Sequence, residues 1–419
     1  RGTGYSGVNL MHLTNRGHII ADSDAGVLKI DPRTEETSIN EGTLSVTGDG
    51  GLFIDAGLFE NKGTVDILAD KTLARTGDYV QTAGATTVNG TLDVNGGVAQ
   101  LQGGVLSGAG IVEQRVNDAA GSVQPGSAPG DLAVDGAYTQ GAAANLTVEL
   151  TGTGEGQFDV LKVSGAVSLS GSLTIERPGN YEPNLGETFV ILTGATRSGN
   201  FSMINGGLIG NGKKFYPVYN ADNVTLHVID VNTPFLVNAL SRRQHGGSGN
   251  FDIVVPFASG ATVRDPRQNG VAPRMVMVFD IAVEAADGSL DCGQEIVVTG
   301  GTCNGATIAG AELAVNMTFD TNASNNSNTC AKVTVNGIRK AGGGPALFGD
   351  NDAQVVLQSG NVDGNTAVNI LDLQAIKNNL IQPVTAANFR FDINASGGAI
   401  NILDLQATKN NLFQSANCP

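Results

Sequence analysis

Two segments near the carboxyl end carry oxygen-bearing groups at intervals that suit a bound cation. The first segment spans residues 361–372 and presents oxygen-bearing side chains at its positions 1, 3, 5, 9 and 12. The candidate ligands are Asn361, Asp363, Asn365, Asn369 and Asp372, with the backbone carbonyl of Ala367 at position 7. Oxygen ligands with this spacing form the loops in which proteins hold Ca²⁺. We therefore predict a calcium loop in this segment.

The second segment, residues 392–404, repeats the pattern with one additional residue before its last carboxylate. Its candidate ligands are Asp392, Asn394, Ser396, Gly398 and Asp404. Gly397 stands at position 6, where such loops turn sharply, whereas the first loop has Thr366 there. Because each loop holds only two carboxylates, we expect Ca²⁺ in at least one loop, bound weakly at about 10⁻⁴–10⁻³ M. The alternative is that these residues act only as helix caps and turn formers.

A helix is predicted after each loop, because the sequence of residues 367–382 recurs at 399–414. The two copies are identical at 13 of 16 positions and lie 32 residues apart. Asn369 and Asn401 suit helix N-caps, and Asp372 and Asp404 stand at the third helical position, as in a capping box. These caps would fix the last ligand of each loop at the start of a helix.

The duplicated loop-and-helix unit resembles the type I dockerins of secreted bacterial complexes. The resemblance covers about residues 358–415, within an expected domain at 358–419. It implies bound Ca²⁺ and a cohesin-like protein partner.

The first half of the chain is repetitive. The unit beginning at Asn15 recurs at Asn40 and Asn61, and more loosely at Asn89. Each copy is a turn followed by alternating apolar and polar residues, which is typical of a short strand. A period in the twenties predicts a parallel β-solenoid over residues 1–232, in which stacked Asn side chains form an amide ladder. A β-sandwich with regular turns is the alternative.

Four further segments make the first half similar to the repeat regions of secreted bacterial β-helix proteins of the autotransporter and adhesin type. They are residues 77–84, 123–132, 158–165 and 186–193. This resemblance implies a parallel β-solenoid outside the cell or on its surface, with a structural or adhesive role. It transfers no catalytic residue.

Residues 233–357 contain spaced short strands and predict an immunoglobulin-like β-sandwich. All four cysteines lie in this region or beyond it: Cys292, Cys303, Cys330 and Cys418. An even number of cysteines suits an oxidising, extracellular setting. Three pairings are possible; Cys292 with Cys303 needs the shortest loop, and Cys330 with Cys418 would tie down the carboxyl end. Free thiols are the alternative.

Charge and hydropathy exclude several kinds of partner. With 24 Lys and Arg against 40 Asp and Glu, the net charge is −16. This charge argues against binding to nucleic acids and to anionic membranes. No apolar run is long enough to insert into a bilayer. We find no catalytic motif and predict a protein that is not an enzyme.

The sequence as a whole predicts a mainly β protein with a small helical domain at its carboxyl end. We predict an extracellular structural protein that polymerises head to tail through open solenoid ends into a cell-surface fibre. The alternative is a monomeric adhesin or docking protein that binds a glycan or a cohesin-like partner. A β-helix enzyme acting on polysaccharides is the less favoured third reading.

Overall fold

The computed structural model describes residues 4–55, 57–126, 129–255, 263–268, 273–320 and 329–415. The chain forms two compact units, Arg1–Val231 and Asn232–Pro419. The fold is mostly β, with parallel sheets in the first unit and two α-helices in the second among the described residues. The regions predicted as a β-sandwich and a tail domain both lie in the second unit.

The N-terminal unit is built from short parallel strands that pair with strands about one repeat later. Nine strands form one sheet in chain order: His18–Ala21, Thr43–Val46, Thr64–Ile67, Ala85–Val88, Val105–Gly108, Ser122–Pro125, Asn145–Glu149, Ser172–Glu176 and Met203–Asn205. Nineteen strands form the larger sheet: Gly4–Met11, Thr14–Asn15, Leu28–Pro32, Thr37–Asn40, Leu52–Ile54, Leu58–Asn61, Thr72–Arg75, Tyr79–Gln81, Thr91–Leu101, Ile111–Asp118, Asp131–Asp135, Tyr138–Gln140, Val160–Val163, Ala166–Leu169, Thr188–Thr193, Thr196–Gly199, Leu208–Gly210, Lys213–Tyr219 and Asn223–Asp230.

Columns of aliphatic side chains hold these strands in register. Leu52 pairs with Leu73, Leu73 with Leu92, and Leu92 with Val112, and all four are fully buried or nearly so. Within a strand such as Thr72–Arg75, the side chains next to the buried leucine are more exposed. This follows because successive side chains of a strand point to opposite faces. A slip of one residue would expose the whole column, so the hydrophobic pattern fixes the register.

A buried ladder of amide side chains runs beside this core. Asn15 Nδ2 donates to Asn40 Oδ1 at 2.7 Å, Asn40 Nδ2 to Asn61 Oδ1 at 2.8 Å, and Asn61 Nδ2 to Gln81 Oε1 at 3.3 Å. The predicted ladder is therefore present over three Asn residues. Its fourth member is Gln81 rather than Asn89, whose side chain instead accepts from the backbone N–H of Ala109.

The two ends of the N-terminal unit differ. The first three strands, Gly4–Met11, Thr14–Asn15 and His18–Ala21, each pair with one later strand only, within the described residues. At the other end, Thr188–Thr193 pairs antiparallel with Asn223–Asp230, which in turn pairs with Lys213–Tyr219. An antiparallel strand thus closes an edge that the parallel repeat would otherwise leave open.

The described residues of the C-terminal unit form three small sheets. An antiparallel sheet has the order Asn250–Val255, Leu236–Gln244, Arg274–Phe279, Glu312–Phe319 and Gly301–Ala309. A second has the order Val263–Asp265, Asp352–Leu357, Thr329–Val335 and Ile296–Thr299, and Val283–Ala285 pairs with Ile338–Lys340. One hydrophobic cluster joins the sheets through side chains such as Met277, Leu313 and Val333.

The disulfide pattern follows the shortest predicted loop. Cys292 and Cys303 form a disulfide across 11 residues of sequence. Cys330 is also disulfide-bonded, and Cys418 lies outside the described residues. No described cysteine is a free thiol.

Two helices complete the C-terminal unit: α1, Ile370–Asn378, and α2, Ile402–Asn410. Both begin with the predicted capping box, formed by Asn369 with Asp372 and by Asn401 with Asp404. Single 3₁₀ turns lie at Pro178–Asn180, Gly246–Ser248 and Phe389–Phe391. Neither α-helix has the length or apolar character needed to cross a bilayer.

Candidate cation loops and their contact with the β-sheets

The first candidate loop folds back on its own polar side chains. Backbone N–H groups donate to Asn361 Oδ1 at 2.8 Å, to Asp363 Oδ1 at 3.0 Å and to Asn365 Oδ1 at 2.9 Å. Asp363 and Asn365 are exposed, whereas Asn361 is fully buried. The loop thus combines solvent access with a closed turn.

Asp372 joins the beginning of this loop to the beginning of α1. Its Oδ1 accepts from the N–H groups of Val362 and Asp363 at 2.9 and 3.2 Å, and its Oδ2 accepts from Asn369 at 2.8 Å. Burial raises the pKa of Asp372 above its usual value, against the effect of these hydrogen bonds, and the charge of Asp363 adds to the rise. Within the described residues it forms no ion pair with a basic side chain, so its charge is not balanced directly.

The donor set of the first loop fits a hard cation. Carboxylate, amide and carbonyl oxygens are the groups that Ca²⁺ prefers, and this loop supplies all three kinds. Asp372 is a buried carboxylate whose charge a cation would balance. Within the part of the chain that the structure describes, no three His, Cys, Asp or Glu side chains are grouped to hold a metal, so amides and carbonyls would have to complete the shell.

The second loop begins in the same way but meets the β-sheets. Asp404 repeats the role of Asp372: Oδ2 accepts from Asn401 N–H at 2.8 Å and Oδ1 from Asn394 N–H at 3.1 Å, and burial raises its pKa. Asp392, at position 1, is fully buried, and its Oδ2 lies 2.8 Å from Nδ1 of His245, which is also fully buried. His245 immediately follows the strand Leu236–Gln244.

Backbone N–H groups occupy the rest of the Asp392 carboxylate. Gly397 N–H donates to Oδ2 at 2.9 Å and Ser396 N–H to Oδ1 at 3.2 Å. Gly397 has a φ of +70°, and a Cβ there would lie 2.2 Å from the carbonyl oxygen of His245. Only glycine allows the loop and the strand end to approach this closely. Gly398, the candidate at position 7, donates its N–H to Ser248 Oγ at 3.1 Å.

A buried ion pair lies behind His245. Arg267 contacts Asp265 with both ends of its guanidinium, Nε to Oδ1 at 2.8 Å and Nη2 to Oδ2 at 2.9 Å. Burial alone would raise the pKa of Asp265, but the charges of Arg267 and Arg243 hold it well below its usual value. Bidentate pairing of this kind fixes both partners in orientation.

The contact between Arg267 and His245 determines how the imidazole is protonated. Arg267 Nη1 faces His245 Nε2 at 3.5 Å, and a guanidinium can only donate. Nε2 must therefore accept, which assigns the proton of a neutral imidazole to Nδ1. The Nδ1–H group then donates to Asp392.

Aromatic rings enclose the histidine. Phe251 and Phe389 stack with their centroids 5.2 Å apart, and the His245 ring meets both edge-on. Phe251 also packs against the hydrophobic cluster of the helical segment, which includes Ile376, Ile393 and Ile400. A strand residue therefore packs against the core of the two helices at this point.

The sequence pattern locates the loops but not their partners. It places Asp363, Asn365 and Asp372 together in one loop, and Asp392, Asn394 and Asp404 in the other, as the backbone contacts show. His245 and Arg267 are missed, since they lie 147 and 125 residues before Asp392. The only signal was the unusual density of charge around Arg242, Arg243 and His245 in a chain with few charged residues.

Both helices expose an apolar pair in their first turn. Ile370 and Leu371 are 69% and 65% exposed, and Ile402 and Leu403 are 66% and 62% exposed. The same two apolar positions are therefore exposed in both copies of the repeat. We call these four residues the twin apolar pairs.

Comparison with known proteins identifies no relative. No family model matches the chain, and no curated protein is significantly similar to it. The site must therefore be interpreted from its own geometry.

Proposed function

We propose that this protein is an extracellular structural subunit that assembles head to tail into a cell-surface fibre. In this proposal the N-terminal unit is a parallel β-solenoid, and the C-terminal unit is an immunoglobulin-like β-sandwich joined to a dockerin-like segment. The proposal depends above all on the difference between the two ends of the N-terminal unit. At one end three strands pair on one side only within the described residues. At the other end an antiparallel strand covers Thr188–Thr193, whereas Thr196–Gly199 and Met203–Asn205 each show one partner strand within the described residues.

Unpaired strand edges are templates for pairing with another chain. Val8 and Leu10, in the irregular part of the first strand, are also 65% and 71% exposed. Because Asn223–Asp230 closes the edge of Thr188–Thr193 at the far end, we assign the complementary surface to the twin apolar pairs of the C-terminal unit. Contact between two different surfaces is heterologous and builds an open filament unless it closes into a ring.

Calcium has a supporting role in this proposal. Bound in the first loop, Ca²⁺ would supply the positive charge that the buried Asp372 lacks and would hold α1 in position. Asp363, Asn365 and the Ala367 carbonyl are the further groups that would hold it. Ile370 and Leu371 directly precede Asp372 in the sequence. A loop ordered by Ca²⁺ would therefore also order this apolar pair.

The disulfides support the proposed location. A disulfide between Cys292 and Cys303 persists in oxidising compartments and outside cells. A structural role requires no catalytic residue, and we assign none.

The experiment that tests the proposal uses two variants of the full chain. Leu371→Ser/Leu403→Ser removes half of the twin apolar pairs, and Val8→Ser/Leu10→Ser alters the open edge. We expect filaments from the unmodified chain by negative-stain electron microscopy and single particles from each variant. An equimolar mixture of the two variants should give a 1:1 dimer by sedimentation velocity, since each retains one intact surface. Leu185→Ser/Leu208→Ser, at two other exposed leucines, is the matched control and should form filaments.

The same microscopy in EDTA measures the role of calcium. Loss of filaments in EDTA would put the cation-dependent segment in the subunit contact, and persistence would restrict the contact to strand edges and sheets. Single rods alone, both with calcium and in EDTA, would overturn the proposal of a fibre.

A monomeric docking protein is the second candidate. The duplication of the twin apolar pairs favours it, because two equivalent surfaces suit one protein partner of the cohesin type. Single rods that bind such a partner, or a glycan, would support this candidate.

A further inference from the structure

We propose that the His245 side chain takes the place of a cation in the second loop. The C-terminal unit would then bind one Ca²⁺, in the first loop, and the β-strand segment would fix the second loop without metal. This inference rests on the proposed calcium role of the first loop.

The hydrogen bonds of Asp392 are the first argument. In a calcium loop the carboxylate at position 1 is a ligand. Three donors surround it here, as three backbone N–H groups surround Asp372, but one of the three is a side chain from outside the loop. His245 Nδ1–H and Gly397 N–H donate to Oδ2, and Ser396 N–H donates to Oδ1. Asp392 and His245 are both fully buried, so this bond is protected from water.

Charge is the second argument. The Arg267 guanidinium lies 3.5 Å behind the imidazole and, as a donor only, holds the ring with Nδ1–H toward Asp392. A divalent cation at Asp392 would have to compete with the hydrogen bonds that this carboxylate already accepts. It would also be repelled by the positive charge of Arg267. No histidine, lysine or arginine forms an ion pair with Asp363 or Asp372 in the first loop, within the described residues.

Spacing is the third argument. The first loop has 11 steps from position 1 to its last carboxylate, Asn361 to Asp372, and the second has 12, Asp392 to Asp404. The additional residue leaves Gly398 donating its N–H to Ser248, on the same segment that carries His245. Gln268 N–H also donates to the carbonyl of Ile393 at 2.8 Å. The second loop is thus attached at three points to residues before position 270.

The consequence is that the two copies of the repeat are stabilised in different ways. In this inference a cation completes the loop before α1, and His245 completes the loop before α2. The segment that begins at residue 358 is then not an independent calcium module, because residues 245–268 contact both of its halves. Gly360 N–H donates to the Pro266 carbonyl at 2.8 Å, and His245 contacts Asp392.

The test counts Ca²⁺ ions bound to the full chain by equilibrium dialysis with radioactive calcium in buffered salt. We expect one ion per unmodified chain and none for Asp363→Ala. Asn394→Ala, the matched change in the second loop, should still bind one ion. Two results would overturn the inference and leave the calcium proposal intact. One is two ions per unmodified chain; the other is one ion that Asp363→Ala still binds and Asn394→Ala no longer binds. No ion in the unmodified chain would instead refute the calcium proposal.

Substitution of His245 supplies the second readout. His245→Ala leaves Asp392 buried without its side-chain donor, and we expect the C-terminal unit to melt about 10 °C lower in EDTA. His245→Asn places an amide N–H near the position of Nδ1 and should recover part of that loss. Equal melting of the alanine variant and the unmodified chain in EDTA would overturn the inference.

Discussion

Asn40 donates a side-chain hydrogen bond to Asn61 across 2.8 Å, linking two parallel strands that lie 21 residues apart in sequence. Asn40 also accepts from Asn15 at 2.7 Å, and both side chains are buried. Each amide is thereby donor to one strand and acceptor to another. Removing a middle member takes one partner from a buried polar group on each side of it, which costs stability.

We predict that Asn40→Ala lowers the stability of the N-terminal unit by about 2–4 kcal/mol, because Asn15 and Asn61 each lose a partner. Urea denaturation followed by circular dichroism measures this difference. Asn89→Ala is the control, since Asn89 lies outside the ladder, and it should cost under about 1 kcal/mol. Equal losses in the two variants would show that the ladder adds nothing specific.

The ladder also shows how far the repeat can be read from sequence. Three Asn residues begin similar seven-residue units, so their stacking follows from the period. Gln81 is one methylene longer and follows a different local sequence, and its equivalence to Asn61 emerges only from the strand register. Leu101 takes the next position and ends the ladder, which no periodicity of polar residues predicts.

Asp118 should make the N-terminal unit more stable in mild acid. It is fully buried, and burial raises its pKa from 3.8 to about 6, although Gly121 N–H donates to it. Its pKa is higher in the folded than in the unfolded state, so the folded state binds the proton more tightly. Stability is therefore greatest below about pH 4 with respect to this group and is lost as the pH rises to about 6.

We predict that Asp118→Asn raises the melting temperature of the N-terminal unit at pH 7.5 by about 4–8 °C, because the charge no longer has to be buried. The amide oxygen can still accept from Gly121. At pH 4 the two proteins should differ little. Calorimetry at both pH values measures this, and a gain of the same size at pH 4 would exclude the charge as its cause.

The disulfide between Cys292 and Cys303 should stabilise only the C-terminal unit. It closes a loop of 11 residues, for which the chain-entropy estimate is about 2–3 kcal/mol. We predict that Cys292→Ser/Cys303→Ser lowers the melting temperature of this unit and leaves the transition of the N-terminal unit unchanged. Differential scanning calorimetry resolves the two transitions. A shift in both would mean that the units do not unfold independently.

The candidate site is predictable where its chemistry is local. Spacing alone places Asn369 and Asn401 at helix starts, and both capping boxes are confirmed. The contact of His245 with Asp392 is not predictable, because it depends on how a strand end packs against a loop 147 residues later. Nor does sequence distinguish Asp265, which is fully buried, from Asp252, which is partly exposed.

That last difference gives a direct comparison of two aspartates that each pair with arginine. Asp265 is the buried partner of Arg267 and also accepts from Ser241 Oγ at 2.6 Å. Asp265→Asn leaves buried guanidinium charge without its counter-ion, and we expect a loss of about 3–5 kcal/mol in the C-terminal unit. Asp252 pairs with Arg242 at 2.8 Å where solvent screens the charges, so Asp252→Asn should cost under about 1 kcal/mol. Chemical denaturation of both variants measures the two losses. If they proved equal, burial would not be what makes the Asp265 pair costly to break.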